Sequence, residues 1–209
     1  MTKVLLAIDT SSGTEVAVLV DGVVVAEAYD PDTMQHAEQI GMQIRKVLDA
    51  ASKKSSDVTA VVVGVGPGPF TGLRVGIAAA KMFAEGVGAK IFGVGSLDAI
   101  AFTKDLSQPT LVLTDARRSE VFFGLYQGKS PAGAPITLLG PGVKKQVDLE
   151  AELQNSGQSY EIVSGSISAA AVGLLALAQI AEGTASYSIV ANYLRAPDAV
   201  PAKGKKVSG

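Results

Sequence analysis

The chain has 209 residues, of which 47% are hydrophobic and 18% charged, a composition that excludes a disordered protein and suffices for a sizeable core. A formal net charge of −2 argues against binding nucleic acid by charge alone, and the absence of cysteine excludes disulfides and thiolate metal sites. The single histidine, His36, makes a histidine-built metal site unfavourable. The N-terminal apolar run is too short for a signal sequence or a membrane span, so we expect a cytoplasmic protein with no membrane partner.

The first half of the chain predicts three strands and then alternating helices and strands. Asp21-Gly22 lies between two apolar runs, which is typical of a tight turn in a hairpin. From His36 to Ala51 the apolar residues follow helical spacing and the outward positions are charged, so this segment predicts an amphipathic helix. The predicted elements are strands 3–8, 15–20 and 23–28, a helix 36–51, a strand 60–65, a helix 70–85, a strand 90–94 and a short helix after Ser96.

The second half repeats the order of the first. LAIDTSSGTEVAVLVDG and LVLTDARRSEVFFGLYQG each contain an apolar strand that ends in an aspartate, a polar turn, Glu-Val opening a second strand, and a glycine turn. Such self-similarity predicts two related lobes, which we place at 1–105 and 106–200, with a tail at 201–209 that we expect to be disordered. The other predicted elements are strands 110–114 and 120–126, a loop 128–135 rich in glycine and proline, a helix 147–154, a strand 161–164 and a helix 169–181.

The stretch VVVGVGPGPFTGLRVG could hold a phosphate or serve packing. A phosphate loop needs consecutive backbone N–H groups, and Pro67 and Pro69 each remove one. The stretch also lacks the GKS or GKT ending of a Walker loop and the third glycine of a dinucleotide fingerprint. Gly72, Gly76 and Ala80 fall on one helical face, where small residues let another helix approach closely. We therefore predict packing, against the preceding amphipathic helix, another protein or both.

The segment GPGPFTGLRVGIAAAKMFA resembles the GPGSFTGLRIG signature of the TsaB (YeaZ) family. Four further stretches, LLAIDTSS, VGSLDAIA, DARRSEVF and NYLRAPDA, match the family in its order and at its spacing. The resemblance covers nearly the whole chain up to about Ala199. Pro69 is a departure, since the family usually has serine there, and the tail beyond Pro201 is not matched.

This resemblance implies an α/β protein with the duplicated actin-like ATPase (ASKHA) fold, in which each lobe has a mixed sheet of the five-stranded type flanked by helices. It implies a non-catalytic subunit that pairs with the catalytic paralogue TsaD in threonylcarbamoyl transfer to adenosine 37 of tRNA, which forms t6A. The ATPase TsaE is a further implied partner, and tRNA is contacted only through the complex. Because the surface of helices 36–51 and 70–85 is apolar, we also expect the isolated chain to be able to form a homodimer through it. We expect no tightly bound cofactor and no activity of the chain alone, while the complex uses ATP and a metal ion.

The catalytic paralogue carries a His-x-x-x-His pair shortly after the strand that follows the Gly-rich helix. In this chain Ser96 and Ile100 occupy the two histidine positions. Isoleucine cannot bind a metal and serine is a poor ligand, so we predict that this metal site is absent. A serine hydrolase or peptidase is also disfavoured, because the sequence has no GxSxG elbow and no suitable base.

Our first interpretation is therefore a scaffold subunit that binds its partner through helices 36–51 and 70–85. The candidate interface residues are Gln39, Met42, Gly72, Arg74, Gly76, Ala79 and Met82.

The alternative is an actin-like ATPase or phosphotransferase that uses Asp9 and Asp115 around a magnesium nucleotide. Both aspartates end a strand, where ligands bind in α/β folds, but each could instead cap its own turn. Asp9, Ser11, Asp115 and Arg117 are the candidates for a vestigial nucleotide cleft. We expect His36 to be a capping or surface residue.

Overall fold

The structure is a computed structural model and describes residues 2–157 and 159–195. Its strands are β1 (Val4–Asp9), β2 (Thr14–Val20), β3 (Val23–Asp30), β4 (Ala60–Gly64), β5 (Lys90–Val94), β6 (Thr110–Asp115), β7 (Glu120–Lys129), β8 (Pro135–Lys145) and β9 (Glu161–Ser164). Its helices are α1 (His36–Ala50), α2 (Phe70–Val87), α3 (Ser96–Phe102), α4 (Gln146–Asn155) and α5 (Ala169–Glu182). The predicted elements are all present, and β8 is an addition to them.

The first sheet has the order β3-β2-β1-β4-β5. β1 runs antiparallel to β2 and parallel to β4, so that Ile8 lies beside Val16 on one side and Val63 on the other. Both β1 and β4 are almost continuously apolar and buried, as expected for central strands that are covered on both faces.

The second sheet has the order β8-β7-β6-β9, with β6 antiparallel to β7 and parallel to β9. Its β7-β6-β9 portion thus repeats the β2-β1-β4 portion of the first sheet, which confirms the predicted duplication. Within the described residues this sheet has four strands, one fewer than the first. β8 was hidden in the sequence by Pro135 and by Gly140-Pro141-Gly142, which an edge strand tolerates because only one of its sides must pair.

The helices form three layers with the two sheets between them. α1 and α2 cover one face of the first sheet, and α4 packs against the outer face of the second. α3 and α5 lie between the sheets in a shared apolar core that includes Leu19, Phe92, Ile100, Tyr126 and Leu175. The lobe boundary between residues 105 and 106 falls between α3 and β6 and stays a prediction, and the tail at 201–209 lies outside the described residues.

α2 is longer than the sequence predicted. It continues through Gly86 to Val87, and its C-cap Gly88 has a positive φ of 71°, in the left-handed region that favours glycine. Like every other helix in residues 2–157 and 159–195, it does not combine the length and apolar character that crossing a membrane requires.

Candidate functional site

The first aspartate turn, which begins at Asp9, is buried inside the molecule. Asp9 ends β1 with only 1% of its surface exposed. Its Oδ1 accepts the backbone N–H of Ser11 at 2.7 Å, and its Oδ2 accepts the Ser96 hydroxyl at 2.8 Å. Burial raises the pKa of the Asp9 carboxyl, while the hydrogen bonds from Ser11 and Ser96 act in the opposite direction. Asp9 is therefore satisfied by its own chain.

Ser96, the first residue of α3, links the strand ends of the first sheet. Its Oγ accepts the backbone N–H of Gly66 at 3.2 Å and lies 3.0 Å from Ser11 Oγ. A Cβ on Gly64 would lie 1.7 Å from Asp9 Oδ2, so the carboxylate occupies space that only glycine leaves free. Ile100, one turn after Ser96, is buried in the shared core. Both positions that match the paralogue's histidines are thus taken up by internal contacts.

The glycines of the Gly-rich segment cover the turn after Asp9. A Cβ on Gly68 would lie 2.8 Å from Ser11 Cβ, and one on Gly72 would lie 2.3 Å from the Thr10 carbonyl oxygen. A Cβ on Gly76 would lie 2.1 Å from Thr10 Oγ1, whose hydroxyl donates to the Gly72 carbonyl at 2.7 Å. The predicted close packing is present, but the packed element is the turn of the same chain.

This finding corrects part of the predicted partner interface. Gly72 and Gly76 are buried against Thr10, and Gly72 also faces His36 at the start of α1, so neither glycine presents an exposed face to another protein. The spacing of small residues along the helix correctly predicted that another group packs closely against this face. It could not show which group fills the space.

The second aspartate turn is open. Asp115 ends β6 with its side chain exposed, and its Oδ1 accepts the backbone N–H of Arg117 at 2.8 Å. The turn continues through Arg117, Arg118 and Ser119, which all have positive φ, at 63°, 52° and 61°. Left-handed backbone costs a residue other than glycine about 1–2 kcal/mol, so this turn stores strain. Asp115 caps its own turn, as one of the two interpretations predicted.

A cleft of about 540 Å³ separates the lobes at this turn, and Asp115 and Arg117 line it together with His36, Thr71 and Arg195. Asp9 and Ser11 do not line it. The four residues predicted for a nucleotide cleft therefore do not form one site, because the Gly-rich segment lies over the first pair. A magnesium nucleotide held between Asp9 and Asp115 does not fit this arrangement.

His36 is buried at the start of α1, contrary to the prediction of a capping or surface residue. Its Nδ1 lies 2.8 Å from Thr14 Oγ1, and burial lowers the pKa of the imidazole against the opposing influence of Asp32 and Asp30. This contact could not be predicted from the sequence, because Thr14 belongs to a different element.

The glutamates that follow the two turns have opposite surroundings. Glu15 Oε2 accepts the N–H of Ala169 at the start of α5 at 3.5 Å. The pKa of Glu15 is raised to about 7, chiefly by burial and also by the nearby Asp9 and Glu27 carboxylates, while the hydrogen bond from Ala169 opposes the shift. In the second lobe Glu120 Oε2 instead lies 3.7 Å from Nε of Arg195. The sequence analysis missed the roles of both glutamates.

The remaining predicted interface residues lie on α1 and α2. Met42 on α1 is 58% exposed and Met82 on α2 is 73% exposed. Arg74 is exposed, while Gln39 and Ala79 are half-buried. The two exposed methionines lie on helices that pack beside each other, which makes this side of α1 and α2 the candidate protein-binding surface.

Arg74 is held in place by two aromatic rings of its own chain. Its guanidinium carbon lies 3.8 Å from the centroid of the Phe70 ring, and its Nε donates to the Tyr193 hydroxyl at 3.1 Å. The two rings are 4.7 Å apart. Tyr193 belongs to the segment after α5, so this cluster joins the end of the described chain to α2.

Comparisons with known proteins agree with this architecture. Residues 10–134 match the family model described as TsaD, tRNA N6-adenosine threonylcarbamoyltransferase. An uncharacterized protein of Mycobacterium tuberculosis H37Rv is 40% identical over 69% of this chain and 66% of its own length. The tRNA threonylcarbamoyladenosine biosynthesis protein TsaB of Bacillus subtilis is 33% identical over 60% of this chain and 56% of its own. TsaB of Escherichia coli is 33% identical over 59% and 54%.

The match thus spans less than two thirds of these relatives' lengths. Among solved structures, YeaZ from Pseudomonas aeruginosa superposes with a TM-score of 0.75 at 24% identity, covering 92% of this chain and all of that one. A second structure from that organism, described as an uncharacterized protein with similarity to peptidase YEAZ, has a TM-score of 0.77 at 24% identity, with the same coverage. These two structures show the fold, which is the actin-like fold predicted.

Proposed function

The chain belongs to the TsaD family of tRNA N6-adenosine threonylcarbamoyltransferases, in its TsaB branch, and we propose that it is a non-catalytic subunit that activates a TsaD-type partner. The observation that carries this proposal is the environment of Ser96 and Ile100. The Ser96 hydroxyl is committed to Asp9, and Ile100 has no ligand atom and is packed in the core. Chemistry on tRNA then rests with the partner, and this chain supplies a surface that holds it.

The surface we propose for the partner is the exposed side of α1 and α2, which we call the methionine surface. It comprises Met42 and Met82 with Gln39, Arg74 and Ala79 around them. Methionine side chains are flexible and polarizable, so they adapt to a partner's shape and contribute much apolar area. In the absence of that partner, the same surface can pair with a second copy to form a homodimer.

The assembly we propose works in the cytoplasm and transfers a threonylcarbamoyl group to adenosine 37 of tRNA. The tRNA, ATP and metal ion are handled by the TsaD-type subunit and by a TsaE-type ATPase. This chain contacts tRNA only through the complex, in keeping with its net charge of −2.

The proposed function is tested by mixing this protein with the TsaD-type paralogue from the same organism. Complex formation is measured by light scattering after size exclusion, and t6A formation on tRNA is followed with and without this chain. We expect a defined complex and a modification rate that depends on it. A wild-type chain that neither binds the paralogue nor changes t6A formation would overturn the proposal.

The methionine surface is tested separately with Met82→Glu. A carboxylate in the centre of an apolar interface has no partner, so we expect the affinity for the paralogue to fall at least about tenfold. Val147→Glu is the matched control, because Val147 is 70% exposed on α4, far from α1 and α2. Both variants should keep the wild-type melting temperature, and unchanged affinity of Met82→Glu would refute this location of the interface.

A further inference from the structure

A second cavity, of about 310 Å³, is lined by residues of α3, α5 and the segment after α5, and shares no residue with the methionine surface. It opens beyond the ends of the parallel strands β4 and β5, where Val65 and Gly66 follow β4 and Gly95 follows β5. Ligands in open α/β sheets bind outside the carboxyl ends of such strands. The position of the cavity is therefore that of a binding site.

Segment 184–192 forms the outer wall of this cavity. Gly93 N–H donates to the Ser186 carbonyl at 2.9 Å, and Asn192 N–H donates to the Val65 carbonyl at 2.7 Å. These two bonds fasten the segment to β5 and to the end of β4. The wall is thus a fixed part of the fold.

The chemistry of the cavity is set by Asp98. Its Oδ1 accepts the hydroxyl of Tyr126, a fully buried side chain, at 2.7 Å. Within the described part of the chain, its Oδ2 has no hydrogen-bond donor and no lysine or arginine forms an ion pair with it. Burial raises the pKa of this carboxyl, and the Tyr126 hydrogen bond opposes that effect. The carboxylate of Asp98 therefore lies in the cavity wall without a lysine or arginine of the described residues to balance its charge.

The other walls offer hydrogen-bond acceptors around that carboxylate. The hydroxyl residues Thr184, Ser186 and Ser188 and the amide residues Gln179 and Asn192 line them. The Ser186 hydroxyl already accepts the Ser188 N–H at 3.1 Å and the Thr184 hydroxyl donates to the Gln179 carbonyl at 3.3 Å, so each keeps part of its acceptor capacity. Hydroxyl and amide oxygens accept the N–H groups that a carboxylate alone cannot all satisfy. Val190 adds apolar surface.

This combination selects the class of ligand. An anion would be repelled by Asp98. A divalent metal ion prefers several carboxylate or carbonyl oxygens converging on one point, and among the described residues only one carboxylate lines this cavity. An ammonium or guanidinium group on a short alkyl chain matches one carboxylate, several neutral acceptors and an apolar wall.

We propose that the Asp98 cavity binds an organic cation, an alkylammonium or alkylguanidinium group, through a charge-assisted hydrogen bond to Asp98 Oδ2. The group can belong to a free small amine or to a lysine or arginine side chain of a bound protein. In either case the cation replaces a missing counter-ion, and the hydroxyl and amide side chains take its remaining N–H groups.

The proposal is tested by isothermal titration calorimetry of the full chain with butylguanidinium and butylammonium, with butanol as the uncharged control. We expect saturable binding of the two cations and none of butanol. Asp98→Asn keeps the size of the side chain and removes its charge, so the affinity should fall at least about tenfold. Asp148→Asn, an exposed aspartate on α4, is the matched control and should bind like the wild type.

Two further measurements keep the test decisive if Asp98→Asn is poorly folded. Tyr126→Phe removes the internal donor to Asp98 and should bind the cations at least as tightly as the wild type. A crystal of the wild type grown with butylguanidinium should show a guanidinium nitrogen within hydrogen-bond distance of Asp98 Oδ2. Absence of binding, equal binding of butanol, or a cation seated elsewhere would each overturn the proposal.

The source of the cation follows from a competition experiment with the TsaD-type paralogue. If butylguanidinium weakens the complex and Asp98→Asn does too, then the natural ligand is a basic side chain of the partner. If the complex is indifferent to both, then the ligand is a free amine. The inference does not rest on the proposed function, since cation binding to the isolated chain and assembly on the methionine surface can each fail alone.

Discussion

The two aspartate turns occupy equivalent places in the two lobes, yet one is closed and the other open. Asp9 is buried beneath the Gly-rich segment and bonded to Ser96, whereas Asp115 lies exposed at the cleft and accepts a hydrogen bond from Arg117 of its own turn. The strands do not account for the difference in burial, because β1 and β6 have equivalent neighbours in their two sheets. The difference comes from the element that follows the parallel neighbour of each aspartate-bearing strand.

In the first lobe that element is α2, whose glycines let it lie directly on Thr10 and Ser11. In the second lobe the turn instead borders the cleft and is fixed by three left-handed residues. An aspartate at the end of a strand is therefore available to a ligand only when the neighbouring loop leaves it uncovered. Duplicated sequence patterns do not imply duplicated sites.

The largest effect should come from opening the closed turn. In Gly72→Ala the new Cβ would lie 2.3 Å from the Thr10 carbonyl oxygen, and backbone cannot move aside easily. We expect the free energy of unfolding to fall by about 3 kcal/mol. Urea denaturation measures it. Gly86→Ala, in the same helix with open space around it, should instead stabilise by about 0.5–1 kcal/mol, and equal effects in the two variants would contradict this account.

A smaller loss of stability should follow when Asp9 loses its hydrogen-bond donor Ser96. Ser96→Ala removes the hydroxyl that bonds Asp9 Oδ2 and leaves a buried carboxylate short of one partner. The expected cost is about 2 kcal/mol, measured by chemical denaturation. In Ser107→Ala, a side-chain bond to the exposed Asp105 is lost, and the effect should stay within about 0.5 kcal/mol. If both serines prove equally dispensable, Asp9 does not depend on Ser96.

The smallest effect concerns Glu15, whose pKa is about 7 in the folded chain and near 4.5 when unfolded. Between these values the folded chain keeps a proton that the unfolded chain releases, so stability falls as pH rises from about 4.5 to 7. Glu15→Gln should remove this contribution and gain about 1–2 kcal/mol over the wild type at pH 8, but nothing at pH 4.

Denaturation curves at several pH values would measure this difference. Glu120→Gln is the control, since Glu120 faces Arg195 instead of other carboxylates. It should leave the decline between pH 4.5 and 7 in place. A constant difference between Glu15→Gln and the wild type across that range would contradict the assignment.

Most of the fold could be predicted from the sequence, because apolar periodicity and turn residues are local signals. β9 was predicted at its observed bounds, and the ends of α5 differed by a single residue. β8 was missed because proline and glycine at 135 and 140–142 signal a loop unless the strand is known to lie at an edge. Edge position is a property of the sheet and is not written in the segment.

The site was harder to predict, because its contacts join residues far apart in the chain. Ser96 meets Asp9, and Thr14 meets His36, through the packing of separate elements. The absence of the paired histidines was visible in the sequence, but the hydrogen bonding of Ser96 to Asp9 was not. Likewise the spacing of Gly72 and Gly76 showed that something packs closely and could not identify Thr10.

The contacts of Arg74 with the Phe70 ring and the Tyr193 hydroxyl have a consequence for recognition. A free arginine side chain samples many rotamers, and fixing it in a complex costs roughly 0.5–1.5 kcal/mol of entropy. In this chain the two rings have already removed most of that freedom during folding. The guanidinium is thus preorganised in one orientation before it meets a partner. The entropic cost of ordering it falls on folding and not on binding.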